Sequence, residues 1–468
     1  TLNNRDAGEA HTLWKINGHI LTSPVPITHP EEEMFSEDST KTEDDITEEL
    51  VTINDNNRYA PTVLTQKGKM IVINRVKEGL EEDFSKTAPE IISVLMSVDA
   101  KEDSDGRDML DSIGEMSKSA PERAQESVKR IVPTASSSVD ISAQIAKVGG
   151  NSVKTRMTSI SMPKINISAT KVSSTAVASG DDFASERCGA WVNPVYTRYA
   201  QKKIGREAGY TSKGMGASLG FDVLVNENLL AGISMTFINS DLKYSDQKSG
   251  NKKEIRTVMR SLYGEKKLTD RLFIQGMFSH GNNTILNHEK RIVSKDLDQT
   301  AFAKYDVITY GGELVAGYRY TSEAKSITFT PTIGVNYSKV KSFKYDETGT
   351  DRRNLSVGVG AFDNVEGIIG SSLSRAFQVN DMIVTPEIHA SANYKFKKKD
   401  PAVAAHLSGA IKSMPVSDNS KSGNNISTNL GATIGITDGI MGYRASYDAY
   451  IDDKYLGHQA SCRISVKF

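Results

Sequence analysis

The sequence predicts an all-β C-terminal domain, a 12-stranded antiparallel transmembrane β-barrel, behind an N-terminal part that is α-helical and partly disordered. Three observations predict it. From Gly189 onward apolar and polar residues alternate in one segment after another. The connections between these segments sort by parity into short turns and longer loops. The chain also stops inside an alternating segment, ASCRISVKF (460–468), which sets Ala460, Cys462, Ile464, Val466 and Phe468 against Ser461, Arg463, Ser465 and Lys467.

Composition narrows the classes. Hydrophobic residues make up 38% of the chain, mean hydropathy is -0.39, and no run of eighteen apolar residues occurs. A helical membrane protein is excluded, whereas a membrane barrel is not, because its inward positions are polar and dilute the average. The net charge of -1 carries no general attraction to nucleic acid. Cys188 and Cys462 are too few for a disulfide scaffold, and the strand assignment separates them along the barrel axis. The first residues, TLNNRDAGEA, lack a Met and a signal-peptide pattern, so a fragment or processed product is expected.

Taken in order, residues 1 to about 80 mix weak strand signals, such as TVLTQKGKMIVIN (62–74), with the acidic run EEEMFSEDSTKTEDDITEEL (31–50). That run reads as disordered linker, since like charges repel and little apolar surface is present to pack. From 84 to 160 the pattern is helical. TAPE (87–90) and SAPE (119–122) each offer a Thr or Ser N-cap, a Pro in the first turn and a Glu at the third position. Ala124, Val128, Ile131 and Val132 then form one apolar stripe that Pro133 should end. A further helix is expected over about 139–160, with Ile141, Ile145 and Val148 on one face and Gly149 and Gly150 weakening its middle.

Strands are expected near 189–203, 212–224, 229–240, 254–265, 271–283, 304–320, 326–340, 363–377, 382–397, 425–436, 440–450 and 455–468. YGGELVAGYRY (310–320) sets Tyr310, Leu314, Tyr318 and Tyr320 against Glu313 and Arg319. VTPEIHASANYKF (384–396) sets Ile388, Tyr394 and Phe396 against Glu387, His389 and Asn393, and YRASYDAY (443–450) sets Tyr443 and Tyr447 against Arg444 and Asp448. Charges opposite aromatics suit a wet lumen and an oily exterior.

After even strands come VNEN, KKLTD, TSEAK, QVND and TDG; after odd strands come long stretches, including 240–253, 341–362 and 398–425, with GREAG and IDDK as shorter exceptions. Short turns on one side and long loops on the other are the habit of outer-membrane barrels. Twelve strands about 4.8 Å apart and tilted about 40° give a lumen roughly 12–14 Å wide, enough for one α-helix and too narrow for a folded domain.

The stretches ASGDDFASERCGAWVNPVYTRYAQKK (178–203) and GYTSKGMGASLGFDVLVNENLLAGISMTF (209–237) resemble the start of the translocator domain of classical autotransporters, the type V secretion proteins, and most closely the rickettsial surface cell antigens. Gly189, Ala190 and Trp191 match the family's first-strand motif, and Gly214 and Gly216 its glycine-rich second strand. Ile464, Val466 and Phe468 stand where the family carries its membrane-insertion signal. The resemblance implies that an assembly machine reads the last strand, which then closes on the first and removes the open edge.

The resemblance also places a helical linker in the lumen. NSVKTRMTSI (151–160) is similar to that helix at Asn151, Arg156 and Met157, with Gly180, Asp181 and Asp182 completing the pore linker before the first strand; NISATKVSSTAVASG (166–180) is an alternative occupant. Some members cut their passenger at an Asn in the pore, for which Asn151 or Asn166 would stand here. On this reading 1–83 are passenger remnant and acidic linker, 84–135 a helical membrane-proximal segment, 136–187 the linker threading the pore, and 188–468 the barrel.

The implied function is an outer-membrane translocator that exports and anchors its own N-terminal passenger, a surface antigen or adhesin, without enzymatic activity, cofactor or metal. Implied partners are outer-membrane lipid, the barrel assembly machinery, the passenger itself and, through it, the host-cell surface, with no nucleic acid. Two other readings stand beside it. An outer-membrane hydrolase or protease would use one of the scattered His280, His288, His389, His406 or His458. A porin-like channel would need an open lumen.

Overall fold

In the computed structural model the twelve alternating segments pair edge to edge and the last pairs with the first. The structure describes residues 105–161, 187–203, 208–322, 326–350, 353–397, 403–407, 414–415 and 425–468. The barrel strands are β1 (Cys188–Gln201), β2 (Tyr210–Asn226), β3 (Leu229–Tyr244), β4 (Lys252–Lys267), β5 (Leu272–Ile292), β6 (Asp298–Tyr318), β7 (Ile327–Ser342), β8 (Phe362–Arg375), β9 (Met382–Lys397), β10 (Ile426–Asp438), β11 (Met441–Ile451) and β12 (Tyr455–Lys467). All neighbours are antiparallel, and β12 meets β1 in a ladder that runs from Gly189 opposite Lys467 to Gln201 opposite Tyr455. Closure leaves this sheet without a free edge. A short strand at Tyr320–Ser322 continues β6 after a break at Arg319, and one at Phe377–Val379 continues β8.

Period-two alternation decides which side each residue faces. Leu314, Ile388, Phe396, Tyr443, Tyr447 and Ile464 are exposed on the outside, while Arg319, Glu387, Arg444, Asp448 and Arg463 are buried on the inside. Exposed apolar residues therefore form an outer band, the inverse of a water-soluble sandwich.

Two expectations are corrected on the side of the long loops. β5 and β6 extend to Ile292 and from Asp298, well beyond the expected ends at 283 and 304. The loops expected at 341–362 and 398–425 are not plain loops either. They contribute Tyr345–Asp346, Leu355–Val359, Val403–Leu407 and Met414–Pro415 to a separate four-stranded sheet. Leu355, Val357, Val403, Ala405 and Leu407 are buried in it, an alternation too short to separate from loop by pattern alone.

Three helices precede the barrel among the described residues: α1 (Asp105–Ser119), α2 (Pro121–Ile131) and α3 (Ala135–Ser161). The N-cap expected at Ser119 is instead Ala120, without a side-chain cap, because α1 runs on through Ser119 and its hydroxyl donates back to the Glu115 carbonyl at 2.9 Å. Pro121 does open α2, and the chain leaves helix at Val132, ahead of Pro133. α3 is longer than expected and passes unbroken through Gly149 and Gly150. The strand signal at 62–74, the acidic run, TAPE, Asn166 and residues 180–182 lie outside the described residues.

Candidate functional site in the barrel lumen

α3 lies inside the barrel. Its 27 residues span about 40 Å at about 1.5 Å per residue, enough to run the length of the lumen. Ala135 stands beside the long-loop ends of β3, β4 and β6, and Arg156 beside the short-turn end of β2. The helix thus enters from the loop end and finishes at the turn end.

The fit has a charge logic. Inward positions put carboxylates on the wall, and α3 brings cations to them. Lys147 pairs with Glu366 at 3.0 Å, Lys154 with Glu313 at 2.6 Å and Arg156 with Asp222 at 2.8 Å. Elsewhere the wall satisfies itself, through Arg319–Glu265 and Arg444–Glu387, both at 3.1 Å. A buried charge without such a partner would carry a large desolvation cost.

At the turn end the contact is chiefly between side chains. Arg156 Nε and Nη2 donate to both oxygens of Asp222 at 2.8 and 2.9 Å. Tyr263 Oη donates to Asp222 Oδ2 at 3.0 Å, and Trp191 Nε1 donates to Tyr263 Oη at 2.9 Å. Val153, Met157, Trp191, Leu230 and Tyr263 form one apolar cluster around this network. Arg463 lies 5.5 Å from the Trp191 ring and donates to the Ser152 carbonyl at 3.0 Å and to Thr155 Oγ1. Gly189 makes room for the pair: a Cβ there would overlap Arg156 Nη2 and lie 2.6 Å from Asp222 Oδ1. Gly149 has the matching role in midhelix, since a Cβ would collide with Met259 Cε on β4. The glycine that reads as a weak point in a helix is what lets α3 approach the wall.

At the loop end the barrel holds backbone carbonyls together with a few hydroxyls. Lys248 Nζ donates to the carbonyls of Arg130 and Val132, Lys253 Nζ to the Thr134 carbonyl at 2.5 Å, and Arg291 Nη1 to the Arg130 carbonyl at 2.9 Å. Glu289 accepts from Thr134 N at 3.0 Å and from Thr134 Oγ1 at 2.6 Å, and Arg291 is clamped between Glu289 and Glu347 at 2.8 and 2.9 Å. Arg353 reaches Ser127 Oγ at 2.5 Å, Ser112 Oγ at 2.8 Å and the Val293 carbonyl at 3.1 Å. Burial pulls the Lys248 ammonium down to about 7, against the upward pull of Glu289, and burial with neighbouring Arg291 pulls the Arg353 guanidinium to about 10.

The lumen is not filled evenly. A cleft of about 80 Å³ runs along α3, lined among others by Lys147, Lys154, Glu313, Asn336, Glu366 and Asn393. Asn151 Nδ2 donates to Tyr450 Oη beside it. Of the residues singled out in sequence, Asn151, Arg156 and Met157 lie together on α3, with Gly189 and Trp191 on the wall beside the last two. Ala190 is half-buried at an outward position of β1. Ile464 and Phe468 are exposed, Val466 shares their outward face, and Phe468 exchanges backbone hydrogen bonds with Cys188 at 3.0 Å. The histidines do not converge. His280 packs on Tyr310 and His458 on Tyr447 outside, His288 meets Phe302, His406 lies in the separate sheet, and His389 faces inward to Asp448 at 2.9 Å.

Sequence reasoning missed Lys147, Lys154, Asp222 and Glu366, and the whole loop-end set. Their signal was the inward phase of each strand, on which Asp222, Glu289, Arg291 and Glu366 all fall.

Residues 190–448, more than half of the chain, match the family described as autotransporter beta-domain. Outer membrane protein A of Rickettsia conorii is 28% identical over 433 residues, covering 89% of this chain and 21% of that protein. Outer membrane protein B of Rickettsia rickettsii is 32% identical over 305 residues, covering 63% of this chain and 18% of that protein. The chain therefore spans about a fifth of the length of these relatives. Among solved structures it is similar to the translocator domain of autotransporter NalP from Neisseria meningitidis, at 12% identity over 69% of this chain and 98% of that one, with a TM-score of 0.49. A closed barrel with an apolar outer band, an occupied lumen and a family match across its strands agree on one conclusion: this chain belongs to the autotransporter beta-domain family, as a translocator barrel of the outer membrane.

Proposed function

We propose that the barrel has let its own N-terminal region pass outward through the lumen and now holds it at the cell surface by α3, without any enzymatic step. The observation that carries this reading is the polarity of α3. Its N-terminal end, and with it α1 and α2, stands at the loop end, while its C-terminal end stands at the turn end where β1 begins. A lumen roughly 12–14 Å wide passes one helix or an extended chain, so the passenger crosses unfolded. Docking of residues 105–134 on the loop-end network becomes available only after they emerge, which opposes their return.

On the same reading the passenger is a surface antigen or adhesin directed at the host-cell surface. Ile464, Val466 and Phe468 are the residues that the barrel assembly machinery would read; their outward phase on the closing strand supports this. Residues 1–83, 84–135, 136–187 and 188–468 serve as remnant, membrane-proximal helices, pore linker and barrel.

The test is protease access in intact Gram-negative cells that express the whole chain with an epitope at its N-terminus. External protease should remove the epitope and leave a barrel that still migrates faster before boiling than after. An epitope that is cut only after the outer membrane is permeabilised would overturn the proposal.

A further inference from the structure

The outer surface is electrically lopsided. Outward positions of β9 to β12, at 384–396, 426–436, 441–451 and 456–468, carry no Lys, Arg, Asp or Glu. The outward positions of β4 to β7 include Arg256, Arg260, Lys339 and Lys341, with the acids Glu254 and Asp306 on the same faces. The ladder registers set one outward row across four strands: Arg260 opposite His280, His280 opposite Tyr310, and Tyr310 opposite Lys339. In the next row toward the turns lie the exposed Leu262, Phe278 and Tyr337, with Leu314 one row further, so the row crowns the apolar band.

Arg260 is the telling member. At a 3.3 Å rise and 40° tilt it lies about 18 Å along the axis from Lys267, within a band about 25 Å tall. A lipid-facing Arg costs about 2–4 kcal/mol at midplane, falling toward zero at the interface, unless an anion meets it. Its direct neighbours, Met235 and His280, are not acids, nor are the outward diagonal ones, Phe237 and Phe278. By contrast Arg256 has Glu254 at 3.9 Å, and Lys339 has Asp363 opposite it. His280 holds its ring 5.1 Å from that of Tyr310, which fixes two more polar groups between the cations.

We infer that this row is a binding site for a phosphorylated glycolipid of the outer leaflet, with Arg260 as the anchor and Lys339, which also faces Asp363, as the weaker second cation. The guanidinium fork fits two oxygens of one phosphate, and Tyr310 with His280 lines the space between. Arg260 and Lys339 are three strand spacings apart, roughly 14 Å, so one headgroup bearing two phosphates reaches both. The inference rests on the lipid-facing side of these strands and is independent of what the lumen exports.

The full chain refolded in detergent would be mixed with diphosphoryl lipid A, or with the same lipid after phosphatase treatment, and bound lipid counted by native mass spectrometry. The intact lipid should be retained and the dephosphorylated one should not. R260Q should lower retention about tenfold, the equivalent of a charge-assisted phosphate contact, and K339Q by less. R375Q, a cation at the turn end of β8, should leave it unchanged. Should R260Q fail to give a heat-modifiable barrel, R260K keeps the charge without the fork and should bind more weakly than the parent. Equal retention of both lipids by the parent, or undiminished binding by a folded R260Q, overturns the inference.

Discussion

The two ends of α3 are held by different chemistry. At the turn end a single guanidinium on the helix meets a single carboxylate on the wall, Arg156 on Asp222, with Tyr263 and Trp191 fixing the carboxylate from behind. At the loop end cations of the barrel, Lys248, Lys253 and Arg291, grip the carbonyls of residues 130, 132 and 134. Side-chain pairing selects one residue at one height. Carbonyl gripping accepts nearly any extended chain, because every residue carries the same acceptor. The difference separates two tasks: the turn end sets where the helix stops, and the loop end, through carbonyls and the hydroxyls of Ser112, Ser127 and Thr134, retains the segment that has come to rest there.

The largest effect should come from breaking the selective end. Asp222→Ala leaves Arg156 buried without its partner, which should cost about 3–5 kcal/mol in resistance of the folded barrel to heat or denaturant. If the turn end were merely a loose stop, midpoint and lumen conductance would stay near those of the parent. Next in size is Gly149→Leu, which forces α3 off β4 and should cost about 1–3 kcal/mol. Pairing it with Met259→Ala should recover part of that loss, and the double variant tests whether the collision is with that methionine.

At the loop end the sharper test is pH. The Lys248 amine holds its proton less tightly when docked, about 7 against an ordinary 10.5, so between these values the released chain binds more protons than the docked one. Docking therefore strengthens as pH rises from about 7 toward 10. The midpoint for protease cutting within 105–134 should climb across that window, and Lys248→Met should flatten the climb. The smallest effect belongs to Val132→Ala, since the barrel holds the carbonyl of Val132 and not its side chain; a change within about 1 kcal/mol is expected. A loss as large as that of Asp222→Ala would erase the distinction between the two ends.

Much of the barrel was legible because period-two alternation is a local property: Tyr443 and Arg444 declare opposite faces wherever the strand finally lies. The separate sheet was not legible, since Leu355–Val359 and Val403–Leu407 become strands by pairing with each other across a long separation. Of the lumen, Asn151, Arg156 and Met157 stood out by resemblance, whereas Lys147 and Lys154 looked like ordinary solvated lysines. Their carboxylates, Glu366 and Glu313, lie on strands far along the chain.

The sequence alone thus determined the strand count, the inward and outward phase of each strand and the sorting of turns from loops, because these follow from the two-residue repeat and from chain length between repeats. Only tertiary structure decided what fills the bore, why Gly149 and Gly189 carry no side chain, and which carboxylate each cation of α3 meets. Those outcomes depend on closure, which brings β1 against β12 and gathers charges scattered over more than three hundred residues into one narrow space where most of them find a partner.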